Sequence, residues 1–354
     1  MADSSVGLSL LSVISLLSFF IFLLTNKFSH KIKNGALLDK DFEKPQAFHH
    51  YPTVRSGGLA SFISLGLFFT LYYFLFEKIL LDYFILILIM FTLGFFEDLK
   101  FSLRAIYRLL MMSLLIYLFI VFFKLEIMSL DLNILNFLME NHTFSSFFIL
   151  ICFLFIVNGA NLIDGFNGLL TIHLLIINFI LLYINLNNEN QDLAMVITAQ
   201  IVVLVSFLLF NFPKATMFMG DSGSYLFGSL VAYNIINTNN LNPQISSFFF
   251  CIILFYLFFE VFFSFFRKLY FKRSPLKPDR SHLHMLTYGF LQNSFRFKDS
   301  NYLNSLLINT IYTSLILPAI FFKDNGLICK YWFFSLLILY IILYSLLYSF
   351  GKKQ

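Results

Sequence analysis

The sequence predicts an all-α, polytopic integral membrane protein of about eleven transmembrane helices, and three observations carry that expectation. Composition comes first: hydrophobic residues make up 59% of the 354 and charged residues only 12%, against roughly 25% charged in an ordinary soluble domain. Second, the apolar residues gather into runs near the roughly 20 residues that cross a bilayer. Third, the basic residues collect between alternate runs. The runs lack the polar–apolar alternation of barrel strands, so helices are the element that satisfies every backbone polar group within lipid.

In chain order the expected spans lie near 6–25, 57–76, 79–96, 105–123, 145–160, 168–184, 193–210, 223–236, 247–266, 303–322 and 331–350. The first, Val6–Leu24, has no basic stretch before it and no small-residue cleavage site after it, so it reads as a retained helix rather than a signal peptide. With the N-terminus outside, the loops at about 26–56, 97–104, 161–167, 211–222 and 267–302 face the cytoplasm. Together with Arg108, Lys352 and Lys353 they hold 20 of the 24 Lys and Arg; only Lys78, Lys124, Lys323 and Lys330 fall on the other side. That bias is the positive-inside pattern and sets the expected orientation. Residues 1–354 read as one transmembrane domain with no soluble domain and no fixed-period repeat. Cys152, Cys251 and Cys329 lie too far apart in sequence to suggest a disulfide framework or thiolate metal site.

Four clusters break the apolar pattern, all at expected cytoplasmic helix ends. The adjacent carboxylates Glu97 and Asp98 close the third span; such a pair at a membrane border is costly unless solvated, paired or metal-bound. A wet helix end with Lys100 and Arg104 as partners is the alternative. The run from Val157 to Gly168 packs Asn158, Asn161, Asp164 and Asn167 among three glycines. Carboxamides supply donors and acceptors suited to a base or sugar edge, and glycine lets backbone approach a ligand.

The third cluster, Met219-Gly-Asp-Ser-Gly-Ser224, offers Asp221 as a ligand for a hard cation such as Mg²⁺. Asp221 or Ser222 could equally cap the following helix, whose start would also serve as an anion site. The fourth holds Arg267, Lys268, Lys272, Arg273 and Lys277, then Asp279-Arg280-Ser281-His282-Leu283-His284. The basic residues suit a diphosphate, with one His as proton carrier or hydrogen-bond donor. A loop that touches anionic lipid would explain the Lys and Arg but not the histidine arrangement. The two His, at i,i+2, share a face only in an extended or turn segment. Glu260 and Arg267, seven apart, share one helix face.

Zinc is disfavoured, since no HExxH pattern and no third His or Cys accompanies His282 and His284. Phosphate-loop and dinucleotide glycine motifs are missing. Nucleic acid is not expected as a partner, because topology accounts for the basic loops.

Taken together, the clusters resemble the polyprenyl-phosphate N-acetylhexosamine-1-phosphate transferase superfamily, the integral membrane family 4 glycosyltransferases. The resemblance rests on Asn158-Gly-Ala-Asn-Leu-Ile-Asp-Gly-Phe-Asn-Gly168, on Phe218-Met-Gly-Asp-Ser-Gly223, and on Pro52-Thr-Val-Arg55-Ser-Gly-Gly58, in the family's motif order along essentially the whole chain. It implies transfer of an amino-sugar 1-phosphate from a UDP-sugar to undecaprenyl phosphate, with release of UMP. It further implies Mg²⁺, with Mn²⁺ as the alternative, a bacterial inner-membrane location and a site facing the cytoplasm. The implied partners are the two substrates and membrane lipids, with a homodimer left open.

Position by position, the resemblance implies catalytic roles for Asp98, Asp221, His282 and His284. Asp221 would be the metal ligand, Asp98 a base or metal-proximal carboxylate, and the two His would contact the diphosphate. Arg55, Glu97, Asn158, Asn161, Asp164, Asn167 and Arg280 would bind substrate. Three departures stand out: Glu97 and Glu260 replace the family's usual Asp, and the histidine motif reads His-Leu-His-Met. The short motif points to the branch that initiates O-antigen, capsule or other surface glycans, with phospho-MurNAc-pentapeptide transfer as the alternative. A secondary transporter is the rival from another class, but its polar sites lie near the midplane between inverted halves, which this pattern does not show. A catalytically inactive scaffold for glycan assembly is the third reading.

Overall fold

The computed structural model describes residues 2–39, 52–101, 103–275, 277, 279–295 and 300–352. The middle of the expected loop 26–56, part of loop 267–302, and Lys353 lie outside the described residues. Among the described residues thirteen α-helices run in order: α1 Ala2–Phe28, α2 Gly57–Phe76, α3 Leu81–Asp98, α4 Ala105–Phe122, α5 Asn133–Met139, α6 His142–Ile163 and α7 Leu169–Asn187. They continue as α8 Gln191–Asn211, α9 Gly220–Leu241, α10 Ser247–Tyr270, α11 Leu283–Phe295, α12 Ser300–Ile316 and α13 Gly326–Lys352. The all-α polytopic class is borne out, and each of the eleven expected spans falls on a helix.

Nine helical stretches, among the described residues, are long and apolar enough to cross a membrane. The two expected spans outside that set are α3 and α9. Three carboxylates, Asp82, Glu97 and Asp98, lie within α3, and α9 carries Asp221, Asn234, Asn237, Asn239 and Asn240. Both are nonetheless central. Nearly the whole length of α9 is buried, and α3, α6, α2 and α7 pack around it.

Polar side chains inside such a bundle hold only if they find partners on neighbouring helices. Here Tyr83 of α3 donates to Asn234 of α9 at 3.0 Å, Asn234 donates to Gln200 of α8 at 2.8 Å, and Asn185 of α7 donates to Thr238 at 2.9 Å. Small residues bring the backbones together: a Cβ on Gly94 of α3 would sit 2.4 Å from Ser222 backbone, and one on Gly58 of α2 would sit 2.3 Å from the Gly223 nitrogen.

Two expected loops contain structure that hydropathy does not reveal. The short helix α5 lies in the connection between α4 and α6, and α11 lies within the expected loop 267–302. Two short antiparallel strands, β1 Leu38–Asp39 and β2 Thr53–Val54, pair before α2. The β2 end is stitched to the loop before α9: Phe218 donates to Val54 at 2.8 Å, and Gly57 and Gly58 donate to Phe218 and Met219 at 3.0 and 2.9 Å. This stitching brings Arg55 beside the start of α9.

Candidate active site

The end of α3, the end of α6 and the start of α9 converge on a cluster of carboxylates. Asp98, only 1% exposed, accepts the backbone N–H of Asp221 and of Ser222, each at 3.0 Å, and also the Ser222 hydroxyl. A carboxylate on one helix thus closes the first turn of another, satisfying donors that would otherwise be left bare. Gly220, at φ 75°, gives this approach room, since a Cβ there would lie 2.6 Å from the Asp98 carboxylate. The cap expected from Asp221 or Ser222 is therefore supplied by Asp98. Those first-turn N–H groups are already occupied and do not serve as a substrate anion site.

Asp221 is left with its carboxylate toward the cluster, 22% exposed at the side chain. Asn161 of α6 donates to its Oδ1 at 2.8 Å and to Ser224 at 3.0 Å. Arg108 of α4 stands 3.5 Å from its Oδ2 and 3.7 Å from Glu97. Glu97 also accepts the backbone N–H of Leu103 at 3.2 Å. Asp164 ends α6 half-buried. Burial, reinforced by the Asp221 charge, pushes the Asp164 carboxyl well above its ordinary range, against the pull of Arg55. Arg55 is held by Asp39 at 2.6 Å. Burial opposes its charge, but Asp39, Asp221 and Asp98 raise its pKa further.

Of the substrate-binding set, the structure brings Arg55, Glu97, Asn161 and Asp164 to Asp98 and Asp221. Asn158 and Asn167 serve the fold. Asn158 donates to the Leu154 carbonyl at 2.7 Å and faces Met112 sulfur at 3.7 Å. Asn167 donates its side-chain N–H to Pro213 at 2.9 Å and its backbone N–H to Asn301 at 2.7 Å, so it ties the α6–α7 turn to the loop before α9 and to α12. Arg108, counted in the sequence only toward orientation, is the cluster's unanticipated member. Its distance in sequence from each carboxylate motif hid it.

The histidines form a second, adjoining centre. His282 and His284 flank the start of α11, their rings parallel within 7° and 5.5 Å apart, so the turn expected of an i,i+2 pair is present. His282 is 2% exposed. Its Nδ1 lies 3.0 Å from Glu260 and its Nε2 3.2 Å from Asp279. Burial opposes its protonation, but the hydrogen bonds to Asp279 and Glu260 raise its pKa overall. Burial also resists ionisation of Asp279, yet His282 and Arg267 hold that carboxyl far below its usual range. His284 is fully buried, which lowers its pKa to about 4 despite the pull of Glu260.

Phe166 of the α6–α7 turn meets His284 edge-on at 5.8 Å and joins the two centres. The basic residues of this region divide. Arg267 pairs with Asp279 at 2.9 Å, and Lys268 donates to the carbonyls of Pro275 and Lys277 at 3.1 and 2.7 Å. Both are buried and grip their own chain. Lys272, Arg273, Lys277 and Arg280 are exposed.

Among the described residues no three His, Cys, Asp or Glu converge as a protein-only metal cage would. Mg²⁺ does not ask for one, since it keeps water and substrate phosphate oxygens around one or two carboxylates. Asp221, its charge only partly matched by Arg108 and facing Asp98 and Asp164, fits that donor set.

Fold and site together define a polytopic helical membrane protein whose ionisable residues meet at helix ends. Residues 80–239 match the family model described as Glycosyl transferase family 4. The resemblance read from the motifs is thereby borne out at the level of the superfamily. The matched segment contains Glu97, Asp98, Asn158–Gly168 and Asp221; Arg55 and the histidine motif lie outside it.

Among relatives, the undecaprenyl-phosphate alpha-N-acetylglucosaminyl 1-phosphate transferase of Thermotoga maritima is 32% identical over 137 residues, 39% of this chain and 41% of that one. A phospho-N-acetylmuramoyl-pentapeptide-transferase of Leuconostoc mesenteroides is 43% identical over 79 residues, 22% of this chain and 25% of that one. One from Dictyoglomus turgidum is 28% identical over 232 residues, covering 63% and 73%. The chain thus spans 41% and 25% of the length of the first two of these relatives.

Proposed function

We propose that the protein is a membrane phosphoglycosyltransferase that moves an amino-sugar 1-phosphate from a UDP-sugar to a polyprenyl phosphate and releases UMP. One observation carries the reading: Asp98, Asp164 and Asp221 gather at helix ends with Arg55 and Arg108 among them. An acid-rich site braced by two guanidiniums suits a cation with a phosphate-bearing substrate better than either alone. In the reaction an oxygen of the lipid phosphate attacks the sugar-proximal phosphorus of the donor. One phosphoanhydride P–O bond forms and another breaks, so the exchange is nearly balanced.

The chain's own residues divide the work. Asp98 fixes the first turn of α9 and so the position of Asp221. Asn161 holds one oxygen of Asp221 and leaves the other toward the cluster. Arg108 and Arg55 offset the negative potential that donor and lipid phosphates would otherwise meet at the carboxylates. Asp221 would hold Mg²⁺, with Mn²⁺ the alternative, and the ion would offset charge on the substrate oxygens. The ordinary ionised lipid phosphate suffices as nucleophile, and Asp98, spent on three donors, is a positioning group rather than a base.

The site faces the cytoplasm of a bacterial inner membrane in this reading, with the N-terminus outside, because 20 of the 24 Lys and Arg lie on the site's side. For the donor, the short histidine motif favours a surface-glycan sugar such as GlcNAc. Relatives named as MurNAc-pentapeptide transferases support that donor as the second reading.

The deciding experiment incubates purified protein with undecaprenyl phosphate, Mg²⁺ and a panel of UDP-amino sugars and follows UMP. Turnover with UDP-GlcNAc but not the MurNAc-pentapeptide donor supports the first branch, and the reverse supports the second. No turnover with any donor, alongside solute flux in vesicles, would sink the enzyme reading. Cysteine labelling near His282 from the outer face alone would overturn the orientation.

A further inference from the structure

The histidine centre has more anchors than a ligand-binding loop needs. Each ring nitrogen of His282 lies within hydrogen-bond distance of a different carboxylate, Glu260 at 3.0 Å and Asp279 at 3.2 Å. Carboxylates accept, so both nitrogens must donate, and the ring is an imidazolium. The charge count agrees: Glu260 and Asp279 bring two negative charges, and Arg267 and His282 bring two positive ones. Glu260 is itself fixed by Tyr340 of α13 at 2.6 Å and by the Leu283 backbone N–H at 3.1 Å. Releasing the proton from Nδ1 would leave a lone pair facing the buried Glu260 carboxylate, and releasing it from Nε2 would leave one facing the half-buried Asp279.

Lys268, Arg267 and His282 together pin Pro275, Lys277, Asp279 and His282 itself onto α10 at three places. Arg280 lies between the last two pins and is the exposed member of the Asp279–His284 run, while both histidines are buried.

We infer that His282 is a positioning residue, a buried imidazolium clamp between Glu260 and Asp279 that presents Arg280 to the donor diphosphate, and that it does not itself carry a proton or touch the substrate. The clamp stands on geometry alone; the identity of Arg280's partner rests on the transfer reaction proposed above. His282 meets Glu260 of α10, Asp279 of the loop and the ring of His284 of α11; one contact further out, Arg267 of α10 pairs with Asp279, Tyr340 of α13 with Glu260, Tyr256 of α10 with His284, and Tyr344 of α13 lies against Arg267.

The test uses the full chain in lipid vesicles with UDP and Mg²⁺ as the probe, reading tryptic cleavage after Arg280 by mass spectrometry. In the wild type the bond is cut slowly and UDP slows it further. In His282→Gln the cut is about tenfold faster, because a charged hydrogen-bonded anchor is gone, and UDP protection is lost. If that variant fails to fold, Tyr340→Phe, which loosens Glu260 alone, shifts the cleavage rate in the same direction by a smaller factor. Unchanged cleavage in the folded variants overturns the clamp, and absent UDP protection in the wild type overturns the role of Arg280.

With UDP-GlcNAc and undecaprenyl phosphate as substrates, His282→Gln raises the donor KM about tenfold with kcat changed less than about threefold. In an Arg280→Ala background the same change adds less than about twofold. A loss confined to kcat, with one limb of its pH profile removed, would make His282 a proton carrier instead. A wild type inert with every donor would defeat the transfer reading, while the cleavage arm would still decide the clamp.

Discussion

The carboxylate of Asp98 holds the backbone N–H of Asp221 at 3.0 Å, so one acid of the cluster sets the place of the other. Asp98 is buried and fully engaged, whereas Asp221 keeps part of its carboxylate exposed. The two acids should therefore respond differently to the same substitution.

Asp98→Asn should destabilise the protein. The amide can accept at one oxygen only, and its NH₂ would face a backbone donor at the start of α9. An unmatched buried donor costs about 1–3 kcal/mol, read as a fall in the thermal unfolding midpoint in detergent. A midpoint equal to the wild type would refute the capping role.

Asp221→Asn should leave the fold intact, because the amide oxygen still accepts from Asn161 and one repulsive charge beside Asp98 and Asp164 is removed. Turnover should nevertheless fall by about a hundredfold or more, as expected when a group stabilising reaction-centre charge is lost. Near-normal UMP release from a well-folded variant would exclude Asp221 as the metal ligand.

Gly58→Ala should be far costlier than Gly66→Ala, although both lie on α2. A Cβ at 58 meets Ser222 and the Gly223 backbone, while at 66 nothing lies within 4 Å. Overpacking of this kind costs about 1–3 kcal/mol, against a small gain in helix propensity at the open site. Unfolding midpoints of the two variants decide it, and equal values would contradict the close approach of α2 to α9.

Stability should fall on the alkaline side through His282. Its folded pKa is raised, so its contribution is complete below the unfolded value of about 6.5 and is lost as pH rises through the folded value. Asp279 has the opposite sign: its folded pKa is depressed, so its contribution is present above an unfolded value of about 3.9 and fades only in strong acid. Unfolding midpoints from about pH 6 to about pH 9 should decline in the wild type and flatten in His282→Gln. A parallel decline in both would assign the effect elsewhere.

Hydropathy and charge were enough to find the fold, because a bilayer imposes length and composition on every span and Lys and Arg mark one side. They missed α5 and α11, whose 7 and 13 residues are too short to show a span. At the site, residue types announced themselves as polar breaks in apolar runs. What each does depended on contacts between distant segments. Asp98 caps a helix that starts 122 residues later (98 to 220), Arg108 reaches Asp221 from α4, and Arg267 and Lys268, read as diphosphate ligands, hold their own loop. Glu260 and Arg267 do share a helix face, but each uses it to grip the 279–283 segment.

Of the two helices that carry Asp98 and Asp221, α9 is polar along its length, whereas α3 is apolar between carboxylates at its two ends. Each depends on neighbours already in place to shelter its carboxylates and carboxamides. During biogenesis, α9 should therefore settle as part of a forming bundle rather than as an independently inserted segment, and the contact between Asp98 and the start of α9 forms only once α3 is beside it.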